Sequence, residues 1–352
     1  MKKMYAFLTT AALVLLAGCA SERVYVGGSS GIFQVSYTNH GLPVPRAWEM
    51  EKLVSDGNIS YMAVNGNSLY AARRVAKGAF AVDVFTVKRN GQLKKIDAFL
   101  IPGSHGYCHI SVSNDGKYLF GSSYSGGFMD MLSLVPEGGI IRLKQRCFFS
   151  GSSVHSRQKK SHPHFAAQTP DGSMVLTADL GCDRIHTFKY EKGKDLVRTA
   201  GAVLPPGSGP RHLSFSADGK FVFCANELSN TVTSFKLEKG ALKMVSNVSA
   251  LPGNWEGNSY AGAIRTAPDG KVYVTNRGHN SVAVFAVAAD GKLSLEKIFS
   301  SEGDFPYDLL FAGGKMFLAN MKSNQFLVMK KEHKETGFSL HRPQCVVMPL
   351  KR

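Results

Sequence analysis

The chain has 352 residues, 44% of them hydrophobic and 19% charged, with a formal net charge of +16 at pH 7. That composition excludes a disordered chain and suits a soluble protein with a substantial core, built as one large closed all-β architecture. So basic a chain raises nucleic acid as a partner, yet no recognition motif accompanies the charge. The lysines are scattered through turns ("NDGK", "ADGK", "EKGK") and the tail from Lys330 to Lys334. No nucleic-acid partner is expected; a solvated basic surface and a basic pocket mouth that attracts anions both remain open.

In chain order, Lys2 and Lys3 come first, followed by an apolar run from Ala6 to Cys19 that is too short to span a bilayer comfortably. It closes on "LLAGC", the pattern of a bacterial lipoprotein signal: residues 1–18 are removed and Cys19 becomes a lipid-modified N-terminus. An ordinary secretory signal with a chance cysteine is the plainer alternative. The expectation is an exported chain, anchored to the cell envelope through its lipid alone, with residues 19–352 forming a single domain. Ala20 after Cys19 favours the outer membrane, facing the periplasm. The other cysteines, Cys108, Cys147, Cys182, Cys224 and Cys345, show no CxxC spacing, so isolated buried thiols are expected, with one disulfide still allowed.

After the signal, one phrase recurs: a polar lead-in, an alternating strand, a tight Asp-Gly turn, a second strand and a third. It reads "HISVSNDGKYLFGSSYSGGFMDMLSL" from His109 and "HFAAQTPDGSMVLTADLGCDRIHTFKY" from His164. It returns as "HLSFSADGKFVFCANELSNTVTSFKL" from His212 and "AIRTAPDGKVYVTNRGHNSVAVFAV" from Ala263, with degenerate copies from Tyr61 and Tyr307. Asp-Gly between alternating apolar runs is a strong hairpin signal, because both positions tolerate positive φ. The turns at Asp115, Asp171, Asp218 and Asp269 recur at roughly the 40–50-residue period of propeller blades. Six units are visible. A seventh is assembled from N-terminal "RVYVGG" and "GIFQVSY" with C-terminal "PQCVVMPL". The spacing thus predicts an all-β, seven-bladed β-propeller closed by a blade shared between the two chain ends, which leaves no exposed sheet edge.

Hairpin geometry also orders the candidate site residues. The Asp-Gly turns mark one rim, so the start of each first strand meets the end of each second strand at the opposite rim. Counting back from the turns places His164 and Arg211 at equivalent positions, with His109 and His212 one place further on. Counting forward places Glu227 and Arg277 at equivalent positions, after Asn226 and Asn276. Basic, acidic and imidazole groups from successive units converge where a central channel opens. A metal site from His109, His162 and His164 is conceivable, but the spacing is unspecific, and no metal is assigned.

The wording of these segments resembles the bacterial propeller lactonases of the 6-phosphogluconolactonase type. "GPRHLSFSADGKFVFCANELSNTV", "HPHFAAQTPDG", "CHISVSNDGKYLF" and "TNRGHNSVAVF" carry the resemblance, which runs from about Val24 to "PQCVVMPL". It also extends to the related fungal muconate-lactonising enzyme, whose His, two Arg and Glu correspond to His164, Arg211, Glu227 and Arg277. The resemblance implies lactone hydrolysis at those four residues, with His109, His212, Asn226 and Asn276 as substrate-binding or supporting groups. Two departures matter. Arg73 and Arg74 stand where the first unit of such proteins has an Asn-Glu pair, and Gly262 and Ala263 stand where the fifth carries a Glu.

The expected reaction is opening of an anionic sugar or organic-acid lactone. Arg211 and Arg277 would bind the anion and polarise the carbonyl, Glu227 would orient or deprotonate water, and His164, with an ordinary pKa near 6.5, would shuttle the proton. No cofactor is implied: there is no nicotinamide or P-loop fingerprint, and no G-x-S-x-G elbow. The alternative is a non-catalytic envelope propeller that binds an anionic ligand or a protein at the same mouth.

Overall fold

Each Asp-Gly pair closes a hairpin by a division of labour. The Gly116 amide donates to the Ser113 carbonyl at 2.8 Å while the Asp115 carboxylate accepts from the Ser113 hydroxyl (2.7 Å) and the Lys117 amide (3.1 Å). Only the glycine takes positive φ, +69° at Gly116, +76° at Gly172, +70° at Gly219 and +80° at Gly270. Of the two positions that tolerate positive φ, the turn uses only the second. The aspartate is there to bond the backbone two residues on, and the glycine alone supplies the left-handed step. The computed structural model describes residues 23–38, 47–55, 57–136, 139–238 and 240–349; the signal segment and Cys19 lie outside them.

All regular elements among the described residues are strands, and they form seven antiparallel sheets. Six are consecutive in sequence: blade 1 (residues 59–100), blade 2 (109–148), blade 3 (163–203), blade 4 (210–249), blade 5 (260–300) and blade 6 (306–339). Blade 7 joins Arg23–Gly28, Gly31–Thr38 and Ala47–Val54 to the C-terminal strand Pro343–Val347, which pairs with Arg23–Gly28. That C-terminal strand is innermost in its sheet and packs beside the first strands of blades 6 and 1, so the ring closes through it. Two features escaped sequence reading. The outer strand of blade 7, Ala47–Val54, carries no turn signature, and blade 3 replaces its fourth strand with two fragments, Val197–Arg198 and Ala202–Val203.

The core lies between blades. Second strands such as Phe221–Asn226 are buried on both faces, which is why they read as apolar runs rather than alternations. Phe223, Val274 and Phe285 fill the space between blades 4 and 5, and Val26, Val346 and Phe326 do so at the seam between blades 6 and 7. On the other face of blade 7, toward blade 1, a Cβ on Gly27 would sit 2.7 Å from the Ile59 side chain and 2.8 Å from the Cys345 sulfur, so only glycine lets the two blades approach. The five described cysteines are free thiols.

A second recurring device positions the rim opposite the Asp-Gly turns. Three or four residues after the end of the second strand in blades 3 to 6 stand Asp183, Asn230, Asn280 and Asn324, all left-handed with φ between 52° and 58°. Each staples the chain entering the next blade. Asp183 accepts from the Gly209 amide at 2.7 Å, Asn230 donates to the Ser259 carbonyl at 2.8 Å, Asn280 accepts from the Phe305 amide at 2.9 Å, and Asn324 accepts from the Arg342 amide at 3.0 Å. Asn and Asp are the residues that combine tolerance of this backbone with a short hydrogen-bonding side chain.

Candidate active site

On this rim the first strands of blades 1, 3, 4 and 6 begin with a bulge. Pairing skips from Pro163 to Phe165, from Pro210 to His212, from Ile59 to Tyr61 and from Pro306 to Asp308. The extra residue, His164, Arg211, Ser60 or Tyr307, is thereby turned toward the channel together with its successor. Simple alternation would send the two to opposite faces, and the bulge is what places both Arg211 and His212 inward.

Glu227 is the centre of the cluster. Its Oε2 lies 2.6 Å from Arg277 Nη2 and 3.1 Å from Arg211 Nε, and its Oε1 lies 2.7 Å from Arg157 Nη2. Arg211, Glu227, Arg277 and His164 are 1%, 3%, 5% and 7% exposed, so four groups that sequence reading assembled from three blades are nearly sealed. Burial by itself would raise the Glu227 carboxyl, but Arg277, then Arg211, His164 and Arg157, outweigh it and hold the group well below the usual carboxylate range. Arg277 also donates to the carbonyls of Ala261 (3.0 Å) and Tyr260 (3.3 Å), and Arg211 and Arg277 lie over the ring of Tyr307 at 5.1 and 5.5 Å.

Arg157 was missed. It sits in the loop between blades 2 and 3, in "GSSVHSRQKKSHPH", a stretch with no repeat signature. The loop is pinned from beneath: Gln158 Nε2 donates to Asp183 Oδ1 at 2.7 Å and to the Leu180 carbonyl at 2.8 Å, and the Arg157 amide donates to His155 Nδ1 at 3.1 Å. Arg157 thus reaches over the cluster, with Nη2 3.4 Å from the Tyr124 hydroxyl and its guanidinium 5.7 Å from the Tyr260 ring. The run of polar residues without Pro or Gly in its middle was the available hint.

His164 is pushed down to about 3, first by burial and then by Arg211, and its Nδ1 is buried without a hydrogen-bond partner among the described residues. The expectation of an imidazole titrating near 6.5 is corrected: at neutral pH His164 is an uncharged base. Below it, His212 and His109 pack with Tyr61 and Phe165 in a cluster of tilted and edge-on rings. The His164–His212 centroids are 5.2 Å apart, and His109 lies 4.4 Å from Tyr61 and 4.3 Å from Phe165. Burial drives both histidines well below their ordinary pKa, so they are a neutral floor to the site. Deeper still, Arg265 pairs with Asp308 at 2.7 Å.

Asn226 and Asn276 do not face the site. The Asn226 amide donates to Thr231 and Thr233 (2.9 and 2.7 Å), and that of Asn276 to the Ala250 carbonyl (2.7 Å) and Ser281 (3.1 Å). Alternation turns them into their own blades as it turns Glu227 and Arg277 out. Of the two roles expected for them, substrate-binding or supporting, their hydrogen bonds fit the supporting one. The same alternation splits the Arg73-Arg74 pair. Arg73 bonds the buried Asp83 at 2.6 Å inside blade 1, and Arg74 occupies the place that Glu227 holds in blade 4. At the other departure, a Cβ on Gly262 would meet Thr275 Oγ1 at 2.4 Å and Arg277 Nε at 3.1 Å, so the missing side chain is what makes room for Arg277.

Asp179, Cys182 and His186 also gather within ligand range of one another on the outer side of blade 3. Arg198 Nη2 faces His186 Nδ1 at 3.1 Å and can only donate, which leaves Nε2 as the protonated atom facing Asp179 Oδ2 at 3.2 Å. A metal-binding imidazole needs the reverse arrangement, with Nδ1–H donating to an acceptor. The cluster is read as a hydrogen-bonded brace.

The family model described as "Lactonase, 7-bladed beta-propeller" matches residues 14–346. The chain belongs to this family. It is 32% identical to the 6-phosphogluconolactonase of Bacillus subtilis over 332 residues, covering 92% of this chain and 93% of that one. Among solved structures, the periplasmic gluconolactonase of Pseudomonas aeruginosa superposes with a TM-score of 0.85 at 26% identity, covering 94% of this chain and 99% of that one. A protein from Lactobacillus plantarum gives a TM-score of 0.84 at 26% identity, covering 93% and 98% of the two chains. The family resemblance read from the repeat segments and the seven-bladed fold are both borne out.

Proposed function

We propose that the chain hydrolyses the ester bond of an anionic, sugar-acid-type lactone at the Arg157–Arg211–Glu227–Arg277–His164 cluster, and that it does so in the cell envelope, held there by a lipid on Cys19. Opening a lactone requires an oxyanion to be stabilised, a water to lose a proton and an alkoxide to gain one. Three guanidiniums converge on one carboxylate, so positive charge is in excess and fixed in place before substrate arrives. Such preorganised donors are effective at stabilising a developing oxyanion.

The proton follows from the two shifted groups. Both oxygens of Glu227 are engaged by guanidiniums, and its work is to hold Arg211, Arg277 and Arg157 in register. His164 is uncharged, with a free Nδ1 beside the same arginines, and is the better placed acceptor for the attacking water's proton. The imidazolium then returns it to the alkoxide leaving group as the tetrahedral intermediate collapses. The single observation that carries the reading is the Glu227 carboxylate shared by three arginines next to this unpaired imidazole. The periplasmic location of the Pseudomonas relative and the "LLAGC" segment support the envelope placement.

The test is acid release from 6-phosphoglucono- and glucono-δ-lactone, followed by pH-stat. Turnover well above the spontaneous rate is expected, with Arg211→Ala slower by on the order of 10²–10³ in kcat. No turnover above the spontaneous rate on either lactone would overturn the proposal.

A further inference from the structure

The channel mouth has a second half, away from the buried cluster, at blades 7, 1 and 2. There a cavity of about 430 Å³ is lined by Arg74, Arg342, Ser60, Gln344, Cys108 and Tyr124, among others. None of its lining residues carries a carboxylate. Arg74 lies on the ring of Phe80 at 5.7 Å, the guanidinium of Arg342 reaches the Met321 sulfur at 4.0 Å, and no carboxylate pairs with either among the described residues. Two cations thus share an open cavity with no counter-charge.

Register explains how they come to face it. Arg74 follows Arg73, which pairs across to Ile59, just as Glu227 follows Asn226, which pairs across to Pro210. Arg74 therefore projects from blade 1 where Glu227 projects from blade 4. Arg342 immediately precedes the closing strand Pro343–Val347, held there by the Asn324 staple, and Gln344 is the residue skipped by that strand's bulge. The two halves of the mouth meet at shared walls. Tyr124 lines this cavity and its hydroxyl reaches Arg157, while Cys108 lines it and its sulfur lies 3.7 Å from the His164 carbonyl.

We propose that Arg74 and Arg342 form a second anion subsite that binds a phosphate or carboxylate carried by the substrate at the end remote from its lactone ring. This rests on the lactone reading above and adds the residues of this chain that would hold the substrate's remote anion, with its ring at the Glu227 cluster. Arginine forks suit either anion, so the experiment separates the two.

Three lactones that differ only in the terminal group, hydroxyl, phosphate or carboxylate, are compared in wild type, Arg74→Glu, Arg342→Glu and a matched control, Lys88→Glu, on the rim of the Asp-Gly turns. The readout is the kcat/KM of each anionic lactone divided by that of the neutral one. Charge reversal at Arg74 or Arg342 lowers this ratio about 10-fold or more, the control does not, and the anion whose ratio falls further is the natural one. A ratio that stays within twofold of wild type in both variants overturns the subsite. If no lactone is turned over, calorimetric affinities of the open-chain acids with and without the terminal phosphate give the same ratio. A fall in Arg74→Glu then upholds the subsite while the hydrolytic reading fails, and an unchanged ratio overturns the subsite by itself.

Discussion

Replacing Glu227 with Gln keeps the shape of the side chain and removes its charge, leaving Arg211, Arg277 and Arg157 facing one another. The first two are almost fully buried, and taking one partner from a buried ion pair costs about 3–5 kcal/mol. Arg157 is more than a third exposed, so its pairing is screened and adds little. With an unfolding entropy of roughly 2 cal/mol/K per residue over about 330 residues, that cost lowers Tm by about 4–7 °C. Because the folded carboxyl is held below its unfolded value, the wild-type advantage is fully present above about pH 4.5 and shrinks as the pH falls further. The missing charge is also replaceable: millimolar phosphate or sulfate should raise the Tm of Glu227→Gln more than that of wild type. Calorimetric melts from pH 4 to 8, with and without phosphate, read all three effects. A variant that melts with wild type, or gains nothing extra from phosphate, would refute the picture of one carboxylate neutralising buried arginines.

With His164 pushed down to about 3, wild-type kcat/KM should show no inflection at pH 6–7 that disappears in His164→Ala; finding one would return the residue to an ordinary titrating imidazole. Arg157→Ala should depress kcat/KM with Tm lowered by no more than about 2 °C, since its side chain is partly exposed and its loop is anchored by Gln158; a melt lowered as far as in Glu227→Gln would make it a structural residue. Deleting residues 344–352 removes most of the innermost strand of blade 7 and should abolish cooperative unfolding at the wild-type temperature, and an unchanged melt would contradict closure through that strand. Cys19→Ser should release the chain from membranes or block its processing; retention at the normal processed size would dismiss the lipid anchor.

The parts of the fold that could be read from sequence are those fixed by local chemistry. Asp-Gly hairpins at Asp115, Asp171, Asp218 and Asp269 count blades because each bonds within itself, and the apolar "QCVVMPL" needed a partner that only the N-terminal strands lacked. Counting from those turns also brought His164, Arg211, Glu227 and Arg277 to one rim, since hairpin length fixes rim position. What could not be read depends on non-local contacts. Arg157 reaches the cluster from a loop whose course is set by Asp183 and Leu180, more than twenty residues later. Asn226 and Asn276 were assigned to the site because rim position was counted but facing was not, and the pKa of His164 is a property of burial that no neighbouring letter records.

The charge of +16 has a spatial resolution that composition hides. On the rim of the Asp-Gly turns, positive charge is matched at short range: Lys220 pairs with Asp218 at 3.0 Å, Lys292 with Asp290 at 3.2 Å and Lys271 with Glu296 at 2.6 Å. The turn chemistry that requires an aspartate also supplies the counter-ion. On the opposite rim three of the four staples are Asn230, Asn280 and Asn324, which bond the backbone without bringing charge, and the fourth, Asp183, is taken up by the Gly207 and Gly209 amides and Gln158. Three guanidiniums there, Arg157, Arg211 and Arg277, share the carboxylate of Glu227, and two more, Arg74 and Arg342, face a cavity whose lining carries no carboxylate. The field of the molecule is therefore expressed at the channel mouth, where low-dielectric walls concentrate it. An anion approaching from solvent is drawn to the one rim that holds both the reactive cluster and the proposed subsite. That attraction weakens with salt over a Debye length of about 10 Å at 0.1 M, whereas the sealed pairs of Glu227 with Arg211 and Arg277 are screened far less, so ionic strength should act on substrate capture and on the partly exposed Arg157 and leave the buried pairs alone.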